Sequence, residues 1–226
     1  MFRFSQLCES IAATTKKTEK IRLVADYLRA SSPENAALAA LYLCGRVFPR
    51  REERVLSIGF SFLLRAVAAI AKKDPRELAP TLRHHGDLGA GAQEILQAHQ
   101  TPSPLTLADI AAVYDSLTRQ RGPAARQALF EQTLRHLSAL ESKYFIKLCT
   151  GELRIGLKES LVEEAIAQCY DQPLAAVQRA NMLTGDISET LRQAAAHPGN
   201  LIVLAGTEQF HFMSSWIKAC FASDGR

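Results

Sequence analysis

The most chemically suggestive stretch of the sequence is a short basic loop between two glycines. Gly151 and Gly156 flank Arg154, and Lys158 stands just before an apolar helical pattern (TGELRIGLKESLVEEAI, residues 150–166). A helix N-terminus presents unpaired backbone N–H groups and the positive end of the helix dipole, and glycine lets an anion approach the backbone closely. The stretch therefore predicts a phosphate-binding loop. The alternative is a loop whose glycines only allow close packing.

The same arrangement occurs in the first half of the chain. Residues 56–59 (LSIG) recur as residues 153–156 (LRIG), and Gly86-Asp87 recurs as Gly185-Asp186 at nearly the same offset. This period is far longer than that of a solenoid repeat, so we interpret it as a duplicated half-domain. Paired glycine loops related by a pseudo-two-fold axis would suit duplex DNA, whose phosphate backbones run antiparallel. Duplication could equally have doubled a core, and the two Gly-Asp pairs could be simple helix stops and caps.

Basic residues gather near these loops, although the net charge of the chain is only +4. The first basic run contains Lys16, Lys17, Lys20 and Arg22, the second contains Arg46, Arg50, Arg51 and Arg54, and the third contains Lys143, Lys147, Arg154 and Lys158. The acidic residues are expected to lie elsewhere, for example Glu159 and Glu163 on the helix that follows the third run. This distribution favours an anionic partner.

Other chemistries find little support in the sequence. The five cysteines never form C-x-x-C, which argues against a zinc site or a disulfide framework and favours a reducing cytoplasm. The adjacent His84 and His85 have no further ligand at metal-binding spacing, so we expect no metal site. Neither a signal peptide nor a run long enough to cross a membrane is evident, and no nucleophile elbow occurs.

Helical elements must position the loops. Apolar residues recur with helical period, and caps precede several patterns, so we expect about ten to twelve helices over residues 1–197. The predicted architecture is an all-α domain over residues 1–200, with halves at about 1–97 and 105–197. The tail, residues 201–226, contains an aromatic cluster that includes Trp216 and is expected to pack on the body or on another domain.

Several of these motifs resemble one known family. The segments TTKKTEKIRLVADYL, YLCGRVFPRREERVLSIGFSFLLRAV, GELRIGLKESLVEEAIA and MLTGDISETLRQA are similar, in this order, to the N-terminal DNA-binding domain of ATP-dependent DNA ligases, especially bacterial ones. The resemblance spans roughly residues 4–197. It implies a helical domain of duplicated halves that grips nicked duplex DNA along the minor groove, mainly through phosphates.

The resemblance also assigns contacts and partners. The expected DNA contacts are Ser57, Ile58 and Gly59 in the first loop, Gly151, Arg154, Ile155, Gly156 and Lys158 in the second, and, from the basic run and the Gly-Asp pairs, Lys16, Lys17, Gly86 and Gly185. Adenylation and OB-fold domains, in cis or in trans, would seal the nick with ATP and Mg²⁺. The implied setting is DNA repair, replication and recombination in the bacterial cytoplasm, at the nucleoid, with the protein as a monomer.

One motif of the family is missing. Adenylyl transfer needs a lysine nucleophile in a K-x-D-G setting, and the nearest match has Ala222 where the lysine should stand. We therefore expect no catalytic residue, no metal and no cofactor in this chain. The alternatives to a ligase module are a free-standing helical DNA-binding or protein-interaction scaffold and an enzyme in its own right.

Overall fold

The computed structural model describes residues 1–98, 101–199 and 201, and within these ranges the chain forms twelve α-helices and no β-strand. The helices are α1 (Phe2–Ala12), α2 (Lys17–Arg29), α3 (Pro33–Leu43), α4 (Phe60–Ala71), α5 (Pro75–His84), α6 (Leu88–Ile95), α7 (Leu107–Arg119), α8 (Pro123–His136), α9 (Ala139–Thr150), α10 (Glu159–Cys169), α11 (Leu174–Thr184) and α12 (Ile187–Ala196). The prediction of an all-α fold is confirmed.

Local capping explains why several helices begin where they do. Ser32 caps α3 through its side chain, and Pro33 follows at the first helical position, where its missing N–H costs nothing. Reciprocal capping boxes begin α7, between Thr106 and Asp109, and α9, between Ser138 and Glu141. Each cap satisfies first-turn amides that the helix itself leaves unpaired. The start of these helices is therefore determined by residues a few positions apart.

The packing of the helices has the two-fold relation that the repeat predicts. Helix α6 packs on α9, and its counterpart α12 packs on α3, the counterpart of α9. In the same way α2 packs on α10, and α8 packs on α4. All four contacts join a helix of the first half to a helix of the second. The two halves are therefore interlocked and share one core.

A line of aromatic rings runs through this shared core. Tyr42 on α3 meets Tyr114 on α7 edge to face, with ring centroids 5.8 Å apart, and Tyr114 stacks on Phe145 at 5.2 Å. Phe145 contacts Phe130 on α8 at 5.1 Å, and Phe130 contacts Phe62 on α4 at 5.2 Å. The line begins and ends in the first half but passes through the second. Its rings hold the halves together by burial and by favourable aromatic geometry.

The described residues show neither a reactive cysteine nor a membrane-spanning helix. Cys8, Cys44, Cys149 and Cys169 are free thiols, and burial raises the pKa of Cys149, which makes it inert. No helix in the described ranges is long and apolar enough to cross a membrane. The aromatic cluster of the tail and Cys220 lie outside the described residues.

Candidate nucleic-acid interface

The two repeat loops share an unusual backbone conformation. Ser57 and Arg154 occupy equivalent positions, and both have positive φ, 39° and 48°, which non-glycine residues rarely adopt. The leucines that precede them, Leu56 and Leu153, are both buried. The repeat therefore preserves a strained turn on a buried anchor as well as a sequence. Such strain is retained where the surrounding structure, or a function, requires it.

Each repeat loop leads into a helix whose N-terminus has no side-chain cap. Helix α4 begins after Gly59 and α10 after Lys158, and neither residue caps its helix. Around these two starts the amides of Phe60 and Ser61, and of Gly156, Leu157, Lys158, Glu159 and Ser160, make no hydrogen bond within the described part of the chain. Unpaired first-turn amides and the helix dipole make both termini suitable for an anion.

The turns at Gly86 and Gly185 differ from these loops. Asp87 accepts hydrogen bonds from the amides of Gly89 and Ala90 at the start of α6, at 3.0 and 3.2 Å. Asp186 caps α12 in the same way. Of the two interpretations of the Gly-Asp pairs, the structure shows a helix stop followed by an acidic cap at both, so a carboxylate already occupies each helix terminus. Contact of DNA with the two glycines themselves stays a prediction.

Each Gly-Asp turn lies against a basic residue of the opposite half. The Arg154 guanidinium donates to the carbonyl oxygen of Gly86 at 2.7 Å. On the other side, Arg51, in the connection that leads to the first loop, pairs with Asp186 at 3.2 Å. A Cβ built on Gly185 would lie 3.9 Å from the Arg51 nitrogen. The structure thus brings Arg154 of the second repeat loop to the Gly86-Asp87 turn, and Arg51, which precedes the first repeat loop, to the Gly185-Asp186 turn.

Only one of the predicted glycines is unexplained by backbone or packing. Gly86, Gly151 and Gly185 have positive φ and end helices or turns. Gly156 has φ 62°, and a Cβ there would lie 2.8 Å from the Lys20 ammonium. Gly59 has an ordinary extended backbone, with φ −98°, and a Cβ there would meet nothing within 4 Å. An open surface at a helix start, kept free of a side chain, is what close approach of a phosphate requires.

Many cations of the basic runs are neutralised within the protein. Arg46 and Arg50 both pair with Glu159, at 2.8 and 2.9 Å, and the hydrogen bond from Arg46 lowers the pKa of Glu159 to about 2. The expectation that Glu159 lies away from the basic residues is therefore wrong. Lys143 pairs with Glu9, and Lys147 pairs with Asp87 at 2.7 Å.

The remaining predicted cations are open to solvent. Lys16 and Lys17 at the start of α2 and Lys158 at the start of α10 are exposed, and no described residue pairs with them. Arg154 is half exposed and shares its guanidinium between Glu152 and the Gly86 carbonyl. These four side chains are the charge that the predicted site offers to an anion.

The two isoleucines of the predicted site serve as anchors through their side chains. Ile155 is 3% exposed, and Ile58 is partly buried against the core. A ligand on the surface could reach only the main chain of Ile155. Contact through the backbone is compatible with the prediction, which no direct observation tests.

Lys20, on α2, contacts the second repeat loop, although the site predicted from the sequence does not include it. Its ammonium donates to the carbonyl oxygens of Ile155 and Gly156, each at 2.8 Å. The signal was present in the sequence, because Lys20 falls on the same helical face as Val24 and Leu28, which are buried. A lysine on an apolar face needs a partner for its charge.

The sequence of the chain is similar to a known protein family and to several known proteins. Residues 1–167 match the family described as "DNA ligase N terminus". The chain is 46% identical over 192 residues to a "Probable DNA ligase" of Koribacter versatilis, an alignment that covers 84% of this chain and 33% of that protein. It is 35% identical to a "Probable DNA ligase" of Opitutus terrae, over 85% of this chain and 22% of the relative, and 29% identical to a "DNA ligase" of Methanopyrus kandleri, over 79% and 34%. The chain therefore spans about a third or less of the length of these relatives.

Proposed function

The chain belongs to the DNA ligase N-terminus family, and from this premise we propose that it is the DNA-binding module of an ATP-dependent DNA ligase. The proposed ligand is nicked duplex DNA, held along the minor groove through the phosphates of both strands and without regard to sequence. Sequence-independent binding suits a protein that must act on nicks anywhere, because phosphate contacts position a duplex without reading its bases.

One observation carries the proposal: both repeat loops combine the same positive-φ turn with an uncapped helix N-terminus, whereas the neighbouring Gly-Asp turns carry carboxylate caps. Helices α1, α2, α8 and α11 also lack a side-chain cap, but no repeat loop leads into them. A cap requires only one aspartate at the residue before the helix, and α6 and α12 show that this fold accommodates such a cap. Leaving α4 and α10 uncapped sacrifices stability at two symmetry-related places. A pair of anions, one from each DNA strand, would satisfy both sets of amides.

The side chains near these termini would supply the long-range attraction. Lys16, Lys17 and Lys158 are free to pair with phosphates, and each phosphate neutralised releases condensed counterions. Arg154, tied to the Gly86 carbonyl, would present its charge at a fixed position. Because both half-sites lie within one chain, we propose that the protein binds as a monomer, and, since its ligand is DNA, that it acts in the cytoplasm.

The chemistry of sealing is proposed to lie in other domains of a longer protein. No K-x-D-G motif supplies a lysine nucleophile in this sequence. Within the described residues no group of three or more His, Cys, Asp or Glu side chains could hold a metal ion. We therefore propose that ATP and Mg²⁺ bind outside this chain. This chain would hold the duplex for adenylation and OB-fold domains that bind both.

Fluorescence anisotropy with labelled oligonucleotides tests the proposal. The protein is titrated with a nicked duplex, the intact duplex and a single strand of the same sequence, and with a nicked duplex of unrelated sequence. We expect binding to both nicked duplexes with equal affinity, and a loss of about a thousandfold between 50 and 200 mM salt if about six phosphates are contacted. Equal binding to the single strand, or affinity that does not change with salt, would contradict the proposal and favour a protein-interaction scaffold.

A further inference from the structure

We propose that Lys20 is a positioning residue that makes the second repeat loop receptive to a phosphate, an inference that rests on the proposed function. Lys20 is only 6% exposed, and its ammonium donates to the carbonyl oxygens of Ile155 and Gly156 at 2.8 Å each. Lys20 comes from α2 in the first half, whereas the loop belongs to the second. The loop is thus held by a cation from the opposite half.

The two hydrogen bonds determine where the neighbouring amides point. In a planar trans peptide unit the N–H points away from the C=O that precedes it. Because the carbonyls of Ile155 and Gly156 face Lys20, the amides of Gly156 and Leu157 face the opposite side. Neither amide is hydrogen-bonded within the described residues. Two successive N–H groups that point outward form a concave site for an anion.

The charge of Lys20 is uncompensated inside the protein. Its ammonium forms no ion pair with a described carboxylate, and two backbone carbonyls are its hydrogen-bond partners. A buried cation without a counter-ion is costly, so its retention needs a reason. Its field acts on the loop in a medium of lower dielectric constant than water, where a nearby anion gains more from it.

A second buried lysine, Lys147 on α9, also contacts this loop, but its charge has a different partner. Lys147 is 5% exposed and donates to the carbonyl oxygen of Leu153 at 3.1 Å, as Lys20 does to its two carbonyls. Lys147, however, has its counter-ion in Asp87, at 2.7 Å. The charge of Lys147 is therefore neutralised within the protein. Of the two lysines under the loop, Lys20 alone keeps its charge available to a ligand.

The first half repeats this arrangement in outline. Helix α8 packs on α4 as α2 packs on α10, and Arg126 on α8 lies with its guanidinium carbon 5.9 Å from the centre of the Phe62 ring in the first turn of α4. The Nε atom of Arg126 is buried without a hydrogen-bond partner. The starts of α4 and α10 therefore each have a basic residue contributed by the opposite half.

The test compares Lys20→Met with the matched control Lys147→Met. Anisotropy titrations with a short nicked duplex at several salt concentrations give the affinity and the salt slope, and thermal unfolding without DNA reports the stability of each variant. For Lys20→Met we expect an affinity about tenfold lower at low salt and a slope shallower by about one, with an unfolding midpoint close to that of wild type. For Lys147→Met we expect a lower midpoint and an unchanged slope. Lys20→Arg, which keeps the charge, should keep the slope.

The outcomes separate the inference from the function on which it rests. A wild-type protein that does not bind nicked duplex overturns the proposed function itself. A wild type that binds, together with a Lys20→Met variant of unchanged affinity and slope, overturns only the role of Lys20. If Lys20→Arg loses as much slope as Lys20→Met, the charge of Lys20 is not what attracts the phosphate, and that part of the inference is overturned. Should Lys20→Met fail to fold, Lys20→Gln, which keeps two N–H donors without the charge, takes its place in the same comparison.

Discussion

Substituting aspartate for Gly59 would convert the start of α4 into the capped type found in α6 and α12. The backbone at Gly59, with φ −98° and ψ 169°, is close to that of Thr106, φ −81° and ψ 172°, which caps α7. A Cβ at this position meets nothing within 4 Å. Gly59→Asp should therefore fold without strain and place its carboxylate on the amides of Ser61 and Phe62, the second and third residues of the helix, as Asp87 and Asp186 do in α6 and α12.

The structure predicts opposite effects on stability and on binding. Replacing glycine where the backbone is compatible gains about 0.4–1 kcal/mol, and an aspartate cap adds a few tenths over glycine. In a chain of this size that corresponds to a rise of about 1–4 °C in the unfolding midpoint. Losing charge-assisted hydrogen bonds to one phosphate costs about 1.5–3 kcal/mol of binding, or about a 10- to 150-fold weaker affinity for nicked duplex.

Thermal unfolding and anisotropy on the same preparations measure both effects. Gly59→Asn is the matched control, because asparagine caps a helix without the negative charge and so separates blocked amides from repulsion. Gly151→Ala is the control for a glycine that the backbone requires, at φ 71°, and should lose stability. If Gly59→Asp is more stable than wild type and binds nicked duplex equally well, the start of α4 does not meet a phosphate and the reasoning is refuted.

Three further variants test neighbouring features. Gly156→Val should lower the unfolding free energy by at least about 1–2 kcal/mol in chemical denaturation, because it forces a branched residue into positive φ and against Lys20; wild-type stability would show that the loop can rearrange. Arg154→Ala should weaken binding about equally for two unrelated duplex sequences and make the salt slope shallower by about one, whereas a loss confined to one sequence would contradict backbone recognition. The folded-state pKa of Glu159 is lowered to about 2, so its ion pairs stabilise the protein above the unfolded value near 4.5 and are lost as the pH falls from there towards 2. Glu159→Gln should therefore flatten the acid limb of the stability profile in that window, and an acid limb that matches wild type would show that the pairs with Arg46 and Arg50 contribute nothing.

Local patterns made the helices predictable from the sequence. The capping boxes at Thr106 and Ser138 involve residues three apart, so both partners are visible in one window of sequence. The duplication was visible because the loops repeat their residue types, and the structure adds that they repeat the backbone at Ser57 and Arg154 as well. All these features can be recognised within short stretches of the sequence.

Features that depend on the opposite half could not be read in the same way. Glu159 looked like part of an acidic helix face, but residues 46 and 50 of the first half reach it in the folded protein. Lys147 looked like part of a basic surface, yet Asp87 neutralises it. Lys20 carried a local signal, its place on an apolar helix face, but its carbonyl partners are far along the chain. Without the packing of the halves, the sequence cannot show which charges remain free.

Backbone amide chemical shifts during a titration with nicked duplex test the central claim most directly. Phosphate binding at both repeat loops predicts large shifts at the uncapped starts of α4 and α10, and small ones at the carboxylate-capped starts of α6 and α12. The diagnostic amides are those of Phe60, Ser61, Gly156 and Leu157 for the first set, and of Gly89, Ala90, Ser188 and Glu189 for the second. Shifts confined to one half, or equally large at the capped helices, would contradict paired phosphate binding at the repeat loops.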